Sequence, residues 1–239
     1  MKVRVKFEKY GPARFLGHLD TMRYFQKAVR RAKIPIAFSS GFRPHMIMSF
    51  AAPLGLGLSS SGEYFDMALR EGASKGMTSE ILARRLDDVM AEGFRVLGVR
   101  QIPEGKKYNA MALTAAAGYE VRFLKESGLT ARDVEDFCGQ PSVLVEKETK
   151  GGTKTVDIRP GIYRLEVLRE DPFTCSMLLA ASSGEHVKPR MVLEALAAFK
   201  GVSVVPYSYA IHKLEVYADR GGDGLSRFVP LGELGEALG

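Results

Sequence analysis

The sequence predicts an α+β fold in which a strand–helix–hairpin–helix–strand unit occurs twice. Several short segments alternate apolar and polar residues, as half-buried strands do, and the segments between them have apolar residues at helical spacing. The same order of elements occurs on either side of residues 105–117. With 239 residues, the chain is long enough for two domains of about 100 residues each.

The first half begins with a strand and an amphipathic helix. Val3, Val5 and Phe7 alternate with charged residues, which is the pattern of a half-buried strand. From His18 to Ala32 the apolar period becomes that of a helix. Its buried face is expected to contain Leu19, Met22, Phe25, Val29 and Ala32.

Further strands and a second helix complete the first half. Strands are predicted at 36–39, 46–51, 63–69 and 94–102. The first two flank a loop and are counted together as one hairpin. Thr78 or Ser79 is a suitable N-cap for a helix that reaches Met90.

The second half has a similar pattern. Strands are predicted at 119–123, 142–148, 162–169, 174–180 and 207–217. The segments 142–148 and 162–169 are expected to pair with each other. Thr130 and Asp133 have the spacing of a capping box at the start of one helix, and Pro189 suits the first turn of another.

Each half therefore has the βαββαβ order of a ferredoxin-like subdomain. We expect two such subdomains in tandem, at 1–104 and 118–219, each with helices on one face of an antiparallel sheet. Residues 105–117, rich in small and polar side chains, are predicted to be a linker. Residues 220–239 combine several glycines with little periodicity, which predicts a flexible tail.

The composition argues against several classes of protein. Cys138 and Cys175 alone cannot form a four-cysteine zinc site or a cysteine-ligated iron–sulfur cluster. No apolar run approaches the roughly 18 residues that span a bilayer, and the N-terminal segment lacks the core of a signal peptide. We therefore expect a cytoplasmic protein that makes no membrane contact and contains no metal or cofactor of its own.

Positive charge is concentrated at the beginning of the chain. The net charge is +6. Residues 1–50 contain 11 Lys and Arg residues against two acids, so this segment carries all of the excess positive charge. Such an asymmetry predicts an anionic partner, with RNA as one possibility, although an ordinary solvated surface is the alternative.

The first predicted helix carries much of this charge. Arg23, Lys27 and Arg30 recur at i, i+4 and i+7, opposite the apolar face, and Asp20 is the only acid within the helix. A solvated face usually interleaves glutamates, so the pattern favours phosphate binding. The anion-binding residues predicted on this helix and just before it are Arg14, Arg23, Lys27, Arg30 and Arg31.

The loop at 39–45 is the second candidate site. Ser40 and Arg43 can bind a phosphate or a carboxylate, and Phe42 can stack on a base. His45 is a further candidate contact in the same loop. The alternative is a hairpin loop in which Phe42 packs into the core.

Two histidines are the candidates for catalysis if the chain is a nuclease. His18 lies at the start of the first predicted helix and could act as a general base. His18 and His45 would form a metal-independent acid–base pair only if the fold brings them together. Their spacing in the sequence does not decide this.

Four segments resemble a known family. They are Phe7-Glu8-Lys9-x-Gly11, Arg14-Phe15-Leu16-Gly17-His18-Leu19-Asp20, Gly41-Phe42-Arg43-Pro44-His45 and Gly62-Glu63-Tyr64-x-Asp66. They resemble the radical SAM-linked protein family (DUF2344), whose members are encoded beside, or fused to the C-terminal end of, a radical SAM enzyme. Gly17 stands where the family commonly has Ser.

The resemblance implies a radical SAM enzyme as partner, with S-adenosylmethionine and an iron–sulfur cluster on that partner. The leading hypothesis is therefore a non-catalytic accessory or substrate-binding module that binds RNA or another anion through its basic N-terminal region. A metal-independent endoribonuclease of tandem ferredoxin-like type is the second hypothesis. A module that binds only protein is the third.

Overall fold

The computed structural model describes residues 1–72, 76–149, 152–205, 207–222 and 224–239. It contains two compact units, one formed by Met1–Ala115 with Glu215–Gly239 and the other by Ala116–Leu214. Each unit combines helices with a mostly antiparallel sheet, so the predicted α+β class is confirmed. No helix in the described ranges is both long and apolar enough to cross a membrane.

The regular elements are defined here in chain order. They are β1 (Lys2–Lys9), α1 (His18–Arg31), β2 (Met48–Phe50), β3 (Ser59–Ala68), α2 (Ser79–Asp87), β4 (Phe94–Ile102), α3 (Ala110–Leu113), β5 (Thr114–Phe123), α4 (Ala131–Cys138), β6 (Leu144–Thr149), β7 (Gly152–Asp157), β8 (Ile162–Glu170), β9 (Phe173–Ala180), α5 (Pro189–Lys200), β10 (Tyr209–Asp219) and β11 (Phe228–Pro230).

In the first unit, β1 lies between β4 and β3 and pairs antiparallel with both. The short β2 pairs antiparallel with one end of β3, and the part of β10 from Glu215 onward also lies beside β3. The inward side chains of the sheet and of α1 form an aromatic cluster, in which the rings of Phe7 and Phe25 are 4.5 Å apart. The His18 ring, at the start of α1, lies 5.6 Å from the Phe50 ring of β2.

The buried face of α1 differs from the prediction most clearly at Leu19, and the predicted Met22 is only half-buried. Thr21, Phe25, Ala28 and Val29 are buried, whereas Leu19 is 59% exposed. Leu19 lies two positions before Thr21, which is about 200° around the helix, so it faces away from the sheet.

Residues 105–115 of the predicted linker and the described residues of the predicted tail, 220–222 and 224–239, belong to the first unit. The linker region contains α3, and its Tyr108 backbone carbonyl accepts a hydrogen bond from Arg4. In the C-terminal segment, β11 pairs with β10 and Leu231 is fully buried. Gln101 and Glu236 exchange two backbone hydrogen bonds of 2.8 and 3.0 Å. These tertiary contacts order a segment whose own composition favours disorder.

In the second unit, β9 pairs antiparallel with β5 and β8, and the part of β10 up to Leu214 lies beside β5. The capping box is confirmed, because Thr130 Oγ1 accepts from the Asp133 backbone and Asp133 Oδ2 accepts from the Thr130 backbone. The predicted pairing of 142–148 with 162–169 is wrong. β6 pairs with β7 in a separate two-stranded sheet, while β8 pairs with β9.

Candidate functional site

Helix α1 presents a ridge of cations to solvent. Arg23, Lys27 and Arg30 are all exposed along one side of the helix. Arg23 Nη1 lies 3.7 Å from Asp20 Oδ1, and both side chains are mostly exposed, so this ion pair is weak. Lys27 and Arg30 form no ion pair with any residue that the structure describes. We call Arg23, Lys27 and Arg30 the basic ridge.

Two further predicted arginines make contacts within the protein. Arg31 Nη2 donates a 3.0 Å hydrogen bond to the Val89 carbonyl, and its guanidinium lies 5.8 Å from the Tyr24 ring. Arg14 is exposed, with its guanidinium 4.7 Å from the Phe15 ring. Arg31 therefore helps to fix α1 against the segment after α2, whereas Arg14 keeps its charge in solvent.

The loop at 39–45 is closed by hydrogen bonds between its two ends. Ser39 Oγ lies 2.8 Å from His45 Nδ1 and accepts a 3.1 Å bond from the His45 backbone. Ser40, Phe42 and Arg43 are exposed, and the Phe42 ring is not packed into the core. The alternative in which Phe42 fills the core is therefore wrong. The ring is accessible for stacking.

The two histidines lie in different surroundings. His18 lines a small cavity with Lys9 and Glu63, whereas His45 lines another cavity, of about 200 Å³, with Lys2 and Asn109. These two cavities have no lining residue in common. The described residues also contain no group of three or more His, Cys, Asp or Glu side chains that could hold a metal ion.

Polar groups interrupt the core where α1 begins. The side chains of Lys9, Thr21 and Glu63 are 2%, 5% and 4% exposed and line one cavity of about 10 Å³, together with His18. Lys9 Nζ donates a 2.6 Å hydrogen bond to the Leu16 carbonyl. Thr21 Oγ1 has no hydrogen-bond partner among the described residues. We call Lys9, His18, Thr21 and Glu63 the polar pocket.

The polar pocket is a candidate site that the sequence prediction missed. A cavity of this volume holds about one water molecule. Lysine and glutamate are almost never fully buried unless they are paired, so the two together mark an unusual position in the core. A signal was available, because Lys9 continues the inward alternation of Val5 and Phe7, and Glu63 continues that of Phe65.

A second buried ionic network lies on the opposite face of the same sheet. Arg4 Nε and Nη2 donate to the two carboxylate oxygens of Asp66 at 2.8 and 3.2 Å. The guanidinium also donates to the carbonyls of Tyr108 and Leu231, and Asp66 accepts from the Ala110 backbone. Because both side chains are almost fully buried and bonded within the protein, this pair joins β1 and β3 to the linker region and the C-terminal segment.

Lys6, Tyr64 and Glu215 form a third network in the first unit. Lys6 Nζ lies 2.6 Å from Glu215 Oε2, and Tyr64 donates a 2.7 Å hydrogen bond to Glu215 Oε1. Burial and the neighbouring Glu215 carboxylate raise the pKa of Tyr64 well above its usual value. The neutral phenol is therefore the form that the folded protein stabilises.

This raised pKa predicts a loss of stability at alkaline pH. The unfolded chain releases the Tyr64 proton near pH 10, whereas the folded protein keeps it, so the stabilisation is present below pH 10 and is lost above it. We expect the difference in free energy of unfolding between the parent and Tyr64→Phe to shrink as pH rises from 9 to 11. Urea titrations at each pH measure it. A difference that stays constant over this range would contradict the assignment.

The fold and these surfaces define an α+β protein whose first unit combines buried ionic networks with one strongly basic helix. Residues 2–189 match the family model described as "Uncharacterized protein conserved in bacteria (DUF2344)". Since the match covers more than half of the sequence, the chain belongs to this family, and the resemblance of the four motifs is confirmed at that level. A search of curated proteins found no match.

Proposed function

We propose that this chain is a non-catalytic accessory module that binds RNA, or another anionic substrate, for a radical SAM enzyme. The observation that carries the proposal is the basic ridge, because its three cations are exposed and only Arg23 has an acid nearby, in a weak 3.7 Å ion pair with Asp20. A phosphate chain supplies negative charge at regular intervals, and such contacts dominate nucleic-acid affinity. Arg30 follows Arg23 by seven positions, which is about 10 Å along the helix axis.

The radical SAM partner is proposed from the family resemblance. A radical SAM cluster needs three closely spaced cysteines, whereas this sequence has two, Cys138 and Cys175. The radical chemistry would therefore belong to the partner, together with S-adenosylmethionine and the iron–sulfur cluster. A module that works with such an enzyme on RNA is expected in the cytoplasm.

The tandem ferredoxin-like arrangement is part of the same proposal. The strand order β4-β1-β3-β2 in the first unit supports it, since the pairs within it are antiparallel. The order β10-β5-β9-β8 in the second unit also supports it, with β9 antiparallel to both β5 and β8. In this interpretation, β6 and β7 are an inserted hairpin.

The endoribonuclease hypothesis gains no support from the histidines. General acid–base catalysis by His18 and His45 requires that both reach one substrate phosphate. They line different cavities, and His45 Nδ1 is already bonded to Ser39. Binding without cleavage is therefore the expected behaviour toward RNA.

The salt dependence of RNA binding tests the basic ridge. For a fluorescein-labelled single-stranded RNA, each neutralised phosphate should contribute about −0.7 to the slope of log affinity against log salt. Replacing Arg23 and Arg30 with Ala should reduce the magnitude of that slope by about 1.4. Fluorescence anisotropy between 50 and 300 mM KCl measures both slopes.

Two control variants separate charge from other effects. Arg132 and Arg164 of the second unit are also exposed, so replacing both with Ala removes the same charge elsewhere and should leave the slope unchanged. Phe42→Ala should lower affinity with little change in slope, because stacking carries no charge. If the Arg23 and Arg30 variant keeps the parent slope, or if no RNA binds, the ridge is a solvated surface and the protein-only module is the better hypothesis.

A further inference from the structure

The cavity lined by His45 is a recess on one face of the sheet of the first unit, next to the loop at 39–45. This outer face carries the buried Arg4–Asp66 pair and is opposite the aromatic cluster. The recess has a volume of about 200 Å³, and all of its lining residues belong to the first unit. The lining residues that matter here are Lys2, His45, Ile47, Ser49, Ala68 and Asn109.

The strand register explains why the recess forms at this point. Ala68 is paired with Lys2 of β1, and the Ala68 backbone N–H donates to the Ile47 carbonyl on its other side. These three residues therefore form one row across the sheet. Since side chains alternate along a strand, this row lies on the outer face together with Asp66. The small Ala68 between two longer side chains leaves a recess with an apolar floor.

Hydrogen-bond donors surround this floor. Lys2 Nζ donates a 3.2 Å hydrogen bond to Asn109 Oδ1, and the ammonium keeps further N–H donors. Ser49 is paired with Asp66 of β3 and so belongs to the adjoining row of the outer face. The Ser49 hydroxyl and the Asn109 Nδ2 group form no hydrogen bond with any residue in the described ranges. The recess therefore has three polar groups that a ligand can reach.

The lining carries an excess of positive charge. Its two charged side chains of opposite sign are Lys2 and Asp66. Arg4 donates to both carboxylate oxygens of Asp66, and one of these oxygens also accepts from the Ala110 backbone. The acid is therefore compensated and its oxygens are already bonded. His45 also lines the recess and adds no negative charge. A ligand with acceptor groups is favoured.

We propose that this recess binds the uracil ring of a nucleotide, either free or within RNA. Uracil has two carbonyl acceptors, and the donors of Lys2 and Asn109 lie side by side, so one ring carbonyl can accept from both. Ile47 and Ala68 provide an apolar surface for the ring. The volume is below the roughly 300–1,000 Å³ of sites for drug-sized ligands, which suits a single ring. Only the RNA form of this inference rests on the proposed function.

The same donors discriminate among the bases. Cytosine has an amino group where uracil has one of its carbonyls, and adenine also presents an amino group. An amino group beside Lys2 and Asn109 would place donors against donors, and polar groups that lose their water without gaining a partner are costly. Guanine has a carbonyl, but its fused rings are larger than the single ring that the recess suits. Uracil is therefore the favoured base.

Two mononucleotides that differ at this group test the inference. Uridine 5′-monophosphate and cytidine 5′-monophosphate are titrated separately into the full chain, and binding is followed by isothermal titration calorimetry. The uridine nucleotide should bind at least about tenfold more tightly. Both nucleotides carry the same sugar and phosphate, so the difference in affinity depends on the base alone.

Three variants locate the ring in the recess. Lys2→Met removes one donor and should reduce the preference for the uridine nucleotide to about twofold or less. Ala68→Leu fills the recess and should weaken binding of the uridine nucleotide about tenfold. Lys106→Met, an exposed lysine that does not line the recess, removes the same charge as Lys2→Met and should change neither affinity. If Ala68→Leu fails to fold, Lys2→Met still decides the result.

Single-stranded RNA distinguishes the two sources of the ring. If RNA supplies it, oligouridylate should bind more tightly than oligocytidylate of equal length. The Arg23 and Arg30 variant should weaken both complexes and leave the ratio of their affinities unchanged. A preference that is seen with the mononucleotides and not with the RNAs would assign the recess to a free uridine nucleotide.

Several outcomes would overturn the inference. They are failure of the uridine nucleotide to bind, equal affinity for the two mononucleotides, and a preference that survives Lys2→Met. RNA binding through the basic ridge together with equal mononucleotide affinities would overturn this inference alone and leave the proposed function intact. Binding of the uridine nucleotide by a chain that binds no RNA would have the opposite meaning, because the proposed function would fail and the recess would remain a nucleotide site.

Discussion

Replacing Asp66 with Asn should lower the free energy of unfolding by about 3–5 kcal/mol. The substitution keeps the size of the side chain but leaves the Arg4 guanidinium, which is 1% exposed, without its carboxylate. It also weakens the acceptor for the Ala110 backbone. Urea denaturation followed by circular dichroism measures the change in free energy of unfolding. If the two units unfold in separate transitions, that of the first unit is analysed.

Asp20→Asn is the matched control for this prediction. Asp20 is an exposed carboxylate near an arginine, so its loss should change stability by less than about 0.5 kcal/mol. A loss below 1 kcal/mol for Asp66→Asn would show that the Arg4 pair contributes little. The hydrogen-bond network of Arg4 and Asp66 would then not be what holds β1, β3, the linker region and the C-terminal segment together.

The parts of the fold that depend on local patterning could be predicted from sequence. The alternation of Val3, Val5 and Phe7 and the helical spacing from His18 onward reflect burial on one face, which acts residue by residue. Leu19 shows the limit of this reasoning. Leu19 fits the apolar spacing of the helix, but burial of the helix face begins only at Thr21.

Pairing between strands was harder to predict because it is decided by distant contacts. The segments of β6 and β8 have similar patterns, so local alternation could not show that β6 pairs with β7 while β8 pairs with β9. The C-terminal segment is glycine-rich and was expected to be flexible. Its order depends on Gln101 and on burial of Leu231, and neither contact is visible in the segment itself.

The candidate site divides in the same way. The basic ridge follows from helical spacing and is exposed where the pattern places it. Lys9 and Glu63 were not predicted as site residues, because charged residues are ordinarily expected at the surface. The alternation along the strands places both side chains on the inward face, beside the start of α1. This placement prevails over the usual preference of charged residues for the surface.

Lys9→Met should lower the free energy of unfolding by about 3 kcal/mol. The change removes a buried cation from the wall of a small cavity that Glu63 also lines, and it leaves the Leu16 carbonyl without its 2.6 Å donor. Glu63→Leu should have a loss of similar size. Because both side chains line one water-sized cavity, the double variant should lose at least 1 kcal/mol less stability than the sum of the two single losses.

Lys27→Met, which removes an exposed charge, is the control and should change stability by less than about 0.5 kcal/mol. Urea denaturation of the four variants measures all of these differences, and losses that add within 0.5 kcal/mol would show that Lys9 and Glu63 do not act as a pair.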